Sequence, residues 1–301
     1  MWTKNNIPSQ AGKTAIITGA NSGIGYETAL ALYESGAHVI LACRSLEKAG
    51  EAISKMQTHG GKGTLEGKVL DLESLKSVKE FAGTVLKEYA NLAILVNNAG
   101  VMTPPASQTR DGLELQFGVN FLGHYALTAC LYPLLAKTED ARIVTVTSLA
   151  YVSGAIDFAN LRLEKPYDAF REYSQSKLAD MLFSMELQRR IMANKDNVKS
   201  IAAHPGVTKT ELSRHMSAEA YSDAVSRFGE LMASWQGALP SLYAATAAEA
   251  AGGKLYGPDS EDGLRGYPAR QAIAPNGLDE KTAEKLWETA AMLTGIHFLA
   301  Q

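Results

Sequence analysis

Thr18-Gly19-Ala20-Asn21-Ser22-Gly23-Ile24-Gly25 is the stretch that decides the reading of this chain. The apolar run Thr14 to Thr18 leads into it as a buried strand, and Ile24 to Ser35 leaves it as a helix closed by Gly36. Three glycines spaced GxxxGxG therefore stand where backbone must approach a ligand closely, with the amides of a helix start facing an anion such as a pyrophosphate. Glycines at a turn are by themselves only a turn. The strand before and the helix after make a dinucleotide cradle the better reading, with Gly19, Asn21, Ser22, Gly23, Ile24 and Gly25 as its contacts.

Outward from this turn, short apolar runs recur at His38 to Ala42, Leu92 to Val96, Ile143 to Thr147 and Ser200 to Ala203. Helical stretches lie between them: Ser74 caps one reaching about Tyr89, another starts near Asp111, and Asp168 to Met192 forms a long one. Alternating strands and helices predict an α/β fold, a single-domain doubly wound parallel sheet whose ligands sit beyond the carboxyl ends of the strands. No repeat or linker divides residues 1–301, and residues 252–301, beginning with the Gly- and Pro-rich stretch Gly252 to Gly277, are expected to wrap the surface as a C-terminal extension.

Composition narrows the function. Lys and Arg number 29 against 32 Asp and Glu, so no basic footprint speaks for nucleic acid or anionic lipid, and a small-molecule partner is favoured. Cys43 and Cys130 sit in apolar stretches and suggest no disulfide framework; the scattered histidines show no ligand spacing, so no metal is expected. The first 13 residues lack a signal-peptide pattern and no run of about 18 uninterrupted apolar residues occurs, so the expected location is cytoplasmic without a membrane span.

The second strand ends in Ile40-Leu41-Ala42-Cys43-Arg44-Ser45, placing Arg44 nineteen positions after Gly25, near where a carboxylate would hold an adenosine ribose. An arginine there suits a 2′-phosphate and a carboxylate would repel it, so NADP(H) is expected over NAD(H). Asp71-Leu72 and Asn98-Ala99-Gly100 follow further strands and are candidate cofactor contacts at strand carboxyl ends.

Tyr173 and Lys177 stand four residues apart and share one helix face. An unperturbed tyrosine titrates at about 10, and an ammonium beside it favours phenolate, which makes Tyr173 a usable general acid or base. Such a pair alone is usually a surface feature. Ser148, after the strand Ile143 to Thr147, could donate to a substrate oxygen, and Asn120 is a polar residue in an apolar helix, either a buried structural amide or the anchor of a proton-relay water.

The sequence resembles the short-chain dehydrogenase/reductase family, in its retinol-dehydrogenase-like carbonyl reductase branch. The resemblance rests on TGANSGIG at Thr18 to Gly25, ACRS at Ala42 to Ser45, NNAG at Asn97 to Gly100, VNFLGHY at Val119 to Tyr125, TSLA at Thr147 to Ala150, YSQSK at Tyr173 to Lys177 and HPGV at His204 to Val207. It implies a Rossmann fold, a catalytic tetrad of Asn120, Ser148, Tyr173 and Lys177, Lys177 on the nicotinamide ribose, Asp71 and Leu72 beside adenine, and cofactor contacts along Pro205, Gly206, Val207 and Thr208, with Thr208 on the carboxamide. It also implies a homo-oligomer. Membrane-associated members carry an apolar N-terminal anchor that residues 1–13 do not show.

The expected function is hydride transfer between NADP(H) and a hydrophobic carbonyl or alcohol. Alternatives are reduction of an activated C=C bond and non-catalytic NADPH binding. Substrate walls are expected from Tyr151, Ile156, Phe158, Leu161, Leu163 and Tyr167, and from a lid of Met216, Tyr221, Phe228, Leu231, Met232 and Trp235, although each of these could equally pack the core.

Overall fold

In the computed structural model, which describes residues 1–209 and 231–299, the glycine stretch sits between β1 (Thr14–Thr18) and α1 (Gly23–Glu34). The chain continues through β2 (His38–Cys43), α2 (Leu46–Gln57), β3 (Thr64–Val69), α3 (Leu75–Glu88) and β4 (Ile94–Asn97). A π-helical turn (Phe117–Leu122) then runs into α4 (Gly123–Lys137), followed by β5 (Ala141–Val146), α5 (Ala169–Asn194), β6 (Val198–Ala203), α6 (Ser234–Thr246), β7 (Leu255–Pro258), β8 (Pro268–Gln271) and α7 (Glu280–Thr294). The strands form one sheet in the order β3-β2-β1-β4-β5-β6-β7-β8. All neighbours pair parallel except β7 and β8. Strand order reverses between β1 and β4, so the crevice beyond Thr18 and Asn97 is where a ligand belongs in such a sheet.

Alternation along the strands feeds two cores. Ile16, Ile40, Leu95 and Ile143 face α3, α4, α5 and α7, while Ala15, Ile17, Val39 and Val144 face α1 and α6. Residues 252–301, read as surface-wrapping, supply β7, β8 and α7. Trp287 of α7 packs on Tyr125 at 5.3 Å and Phe298 at 4.7 Å, and the Arg190 guanidinium lies 4.6 Å above its ring.

Element limits differ from expectation where a side chain captures the backbone. β4 starts at Ile94, because the Leu92 amide donates to the Thr138 hydroxyl. The helix expected near Asp111 begins at Leu115, since Asp111 accepts the Leu75 amide at the start of α3 and Glu114 takes the Gln116 and Phe117 amides. Phe117–Lys137 is long and apolar enough to cross a membrane, but 83% of its apolar 18-residue stretch is buried in the protein.

Candidate active site

The glycine turn is shaped by contacts as well as by chain freedom. Gly19 and Gly23 hold φ +66° and +55°, which side-chain-bearing residues rarely adopt. A Cβ on Gly25 would lie 2.5 Å from both the Asn98 amide nitrogen and the Gly19 carbonyl oxygen. Ser22, at the N-cap of α1, makes no capping bond, whereas Ser45, Ser74, Asp168 and Asp279 each cap their helices. The first amides of α1 are therefore uncapped donors, and no acidic side chain stands in that turn; both features fit a pyrophosphate.

Thr18, not singled out from sequence beyond its place in the turn, ties this cradle to β4. Its hydroxyl oxygen accepts from the Asn98 and Ala99 amides, each at 2.9 Å, and its carbonyl accepts from the Asn98 side chain at 2.8 Å. Asn98 and Ala99, expected as cofactor contacts, thus spend these donors bracing the turn. Gly100 lies against the tetrad, where a Cβ would be 3.2 Å from Asn120 Oδ1 and 3.9 Å from Lys177 Nζ.

At the adenosine end, Arg44 is exposed and its Nη1 lies 2.6 Å from Glu73 Oε1. Asp71 pairs with Arg110 at 3.0 Å, and Leu72 is buried. A carboxylate thus does stand beside the arginine fork. It comes from the loop after β3 rather than from the ribose-binding position at the end of β2, which is why spacing alone did not find it.

The residues of the expected tetrad lie around the carboxyl ends of β4 and β5 and along α5. Lys177 is buried and donates to the Val146 carbonyl at 3.0 Å and to Asp180 Oδ2 at 2.8 Å, which uses two of its three N–H bonds. Burial works against the ammonium, but Asp180, ahead of Tyr173, outweighs it and holds Lys177 above the ordinary lysine range. Burial lifts the Asp180 carboxyl to about 7 although Lys177 pulls it the other way. Tyr173 is buried on the same helix, and no hydrogen bond engages its hydroxyl among the described residues. Ser148 accepts the Ala150 amide at 3.3 Å through a lone pair, leaving its O–H free to donate.

Asn120 lies in the π-helical turn and braces the site. Its Oδ1 accepts the Val101 amide at 2.8 Å, and its two amide protons go to the Val101 carbonyl and the Ser176 hydroxyl. Both side-chain amide protons are thus committed, which fixes Asn120 between the loop after β4 and α5. Its backbone carbonyl accepts from His124 Nδ1 at 2.7 Å, and His124 Nε2 lies 2.9 Å from the Thr18 hydroxyl. A carbonyl only accepts, so Nδ1 carries the proton and Thr18 donates to Nε2. Burial pushes His124 down to about 4, opposed by the Asn120 carbonyl and reinforced by Lys177. Nitrogen-15 NMR of the imidazole should therefore show the neutral Nδ1–H tautomer down to about pH 4; a transition near the free-histidine value of about 6.5 would mean that the Thr18–His124–Asn120 chain is absent in solution.

Beyond β6, Gly206 adopts φ +67°, Val207 donates to the Leu264 carbonyl, and the Thr208 hydroxyl donates to the Pro205 carbonyl at 2.9 Å. Several expected substrate walls are spoken for elsewhere. Tyr151 is buried and its hydroxyl accepts the Ala274 amide, Leu161 is core, and Tyr167 donates to the Pro104 carbonyl. Leu163 adopts φ +65°, while Ile156 and Phe158 are partly buried against the core. Met232 is buried and Trp235 is 48% exposed; Leu231 is partly buried, and Met216, Tyr221 and Phe228 lie outside the described residues.

Comparison with known proteins agrees with this fold. The family model for short chain dehydrogenase matches residues 13–220. Human retinol dehydrogenase 13 is 41% identical over 307 residues, covering 98% of this chain and 89% of its own, and mouse retinol dehydrogenase 14 is 38% identical over 304, covering 95% and 86%. A crystal structure of a putative uncharacterized protein from Mycobacterium paratuberculosis superposes with a TM-score of 0.83 at 37% identity, covering 99% and 98% of the two chains. The Pseudomonas aeruginosa RhlG/NADP active-site complex has a TM-score of 0.66 at 23% identity and covers 82% and 94%, a likeness of fold. With its glycine turn, tyrosine–lysine helix and sheet order in place, the chain belongs to the short-chain dehydrogenase family, among its retinol-dehydrogenase-like members.

Proposed function

We propose that the chain is an NADP(H)-dependent oxidoreductase interconverting a hydrophobic carbonyl and its alcohol, with Tyr173 as the proton donor and acceptor. The observation that carries this reading is a buried ammonium, Lys177, with one N–H uncommitted, on the same helix face as a phenol whose hydroxyl no described residue engages. Both groups are left open toward a ligand.

The dihydronicotinamide, when bound, supplies the hydride. The uncapped amides of α1 would hold the pyrophosphate, and Arg44 the 2′-phosphate after parting from Glu73. The remaining Lys177 N–H would take a ribose hydroxyl. Ser148 directs its O–H at the substrate oxygen and holds it against Tyr173, which passes its phenolic proton to that oxygen as the carbonyl carbon is reduced. In the alcohol direction the same oxygen returns the proton to Tyr173.

The retinol dehydrogenases among the relatives are named for an apolar alcohol, which supports a hydrophobic substrate here. NADPH oxidation measured over aldehydes, steroids, retinoids and enones, with product identification, tests the proposal. Carbonyl-to-alcohol conversion of apolar members is expected. Saturation of enones alone would move the assignment to C=C reduction, and NADPH binding without any turnover would remove the enzymatic reading.

A further inference from the structure

The Lys177–Asp180 contact is a buried ion pair within a single helix face. The two side chains are 6% and 2% exposed, and Nζ and Oδ2 are 2.8 Å apart. Asp180 Oδ1 is buried without a hydrogen-bond partner among the described residues. Among the described residues only Lys177 donates to this carboxylate, so its charge is balanced through Lys177. Among the described residues, Tyr173 faces the pair from α5 itself and His124 from α4, while β5 presents the Val146 carbonyl and the loop after β4 presents Gly100.

We propose that Asp180 is a positioning residue that sets the proton affinity of the Tyr173–Lys177 pair by neutralising the buried ammonium. The inference rests on the reading of that pair as the proton-transfer machinery. With Asp180 ionised, the phenol–ammonium–carboxylate set is neutral overall; without it, the phenol and ammonium carry an uncompensated charge in a dry setting. Loss of the first proton relieves that charge whether it leaves the phenol or the ammonium. The first macroscopic titration of the pair must then fall when Asp180 is neutralised, however the proton is shared between the two sites. Asp180 also anchors Nζ toward β5, so that two N–H bonds are fixed and the third is left in one direction.

The test compares the parent chain with Asp180→Asn and Asp180→Glu. In cofactor-free protein carrying carbon-13 at tyrosine Cζ and lysine Cε, with signals assigned through Tyr173→Phe and Lys177→Arg, Asp180→Asn should bring the first titration down by about one pH unit or more. In turnover, the alkaline limb of carbonyl reduction and the acid limb of alcohol oxidation should move down together by a similar amount. Asp180→Glu keeps a carboxylate and should lie closer to the parent than Asp180→Asn does.

A residue that merely packs α5 would alter melting temperature and overall rate while leaving titration and limbs in place, and that result overturns the proposal. If Asp180→Asn does not fold, the parent decides: Lys177 titrating at or below the ordinary lysine range in the cofactor-free chain also overturns it. A moved titration without turnover of any carbonyl would remove the oxidoreductase reading and leave the role of Asp180 standing. Turnover with unmoved limbs would do the reverse.

Discussion

Tyr173→Phe is expected to lower kcat by roughly 10²- to 10⁴-fold, the range that a positioned general acid or base contributes. NADPH affinity should stay within about threefold of the parent, since the substitution removes an oxygen and leaves the buried ring in place. The structure makes this a clean substitution. No described residue hydrogen-bonds the Tyr173 hydroxyl, so its removal strands no buried partner and should cost little stability. Stopped-flow hydride transfer with NADPH fluorescence titration separates the two quantities. A kcat unchanged within about twofold would take Tyr173 out of the chemistry.

The second large effect is expected at Arg44. Charge-assisted hydrogen bonds contribute about 1.5–3 kcal/mol, so losing the fork should weaken NADPH by roughly 10- to 150-fold. Arg44→Asp adds repulsion of the 2′-phosphate and, with Glu73 alongside, places two carboxylates where the parent has a pair at 2.6 Å. NADH, which lacks that phosphate, should be affected far less, and preference should turn toward it. Glu73→Gln is the opposing experiment. Exposed pairs contribute about 0.2–1 kcal/mol, so freeing the fork should tighten NADPH by about 1.5- to 5-fold. Weaker NADPH binding in Glu73→Gln would show instead that Glu73 orients Arg44. Equal NADPH-to-NADH ratios in the parent and Arg44→Asp would falsify the 2′-phosphate assignment.

The strand–glycine–helix unit was legible because each of its signals is local. The apolar run, the three glycines and the largely apolar helix are contiguous, and backbone conformation follows from them within a few residues. Tyr173 and Lys177 were legible for the same reason, since helical spacing puts them on one face. Asp180 was available by that argument, three positions beyond the lysine, but a charged helix residue reads from sequence as solvated unless burial is known. Local expectation failed where a distant group competed for the backbone, as when Thr138 took the Leu92 amide and Glu114 displaced the start of the long apolar helix.

By itself, the sequence determined an α/β sheet with a phosphate-binding turn after its first strand and placed a phenol and an amine side by side, because periodicity and spacing act over a turn or two. Only the tertiary structure decided which polar groups remain free to do chemistry. Thr18 meets His124 across 106 positions, Asn120 meets Ser176 across 56, and Arg44 meets Glu73 across 29. Each such contact consumes a donor or a charge, and desolvation in the packed interior then fixes which protons are held and which can move.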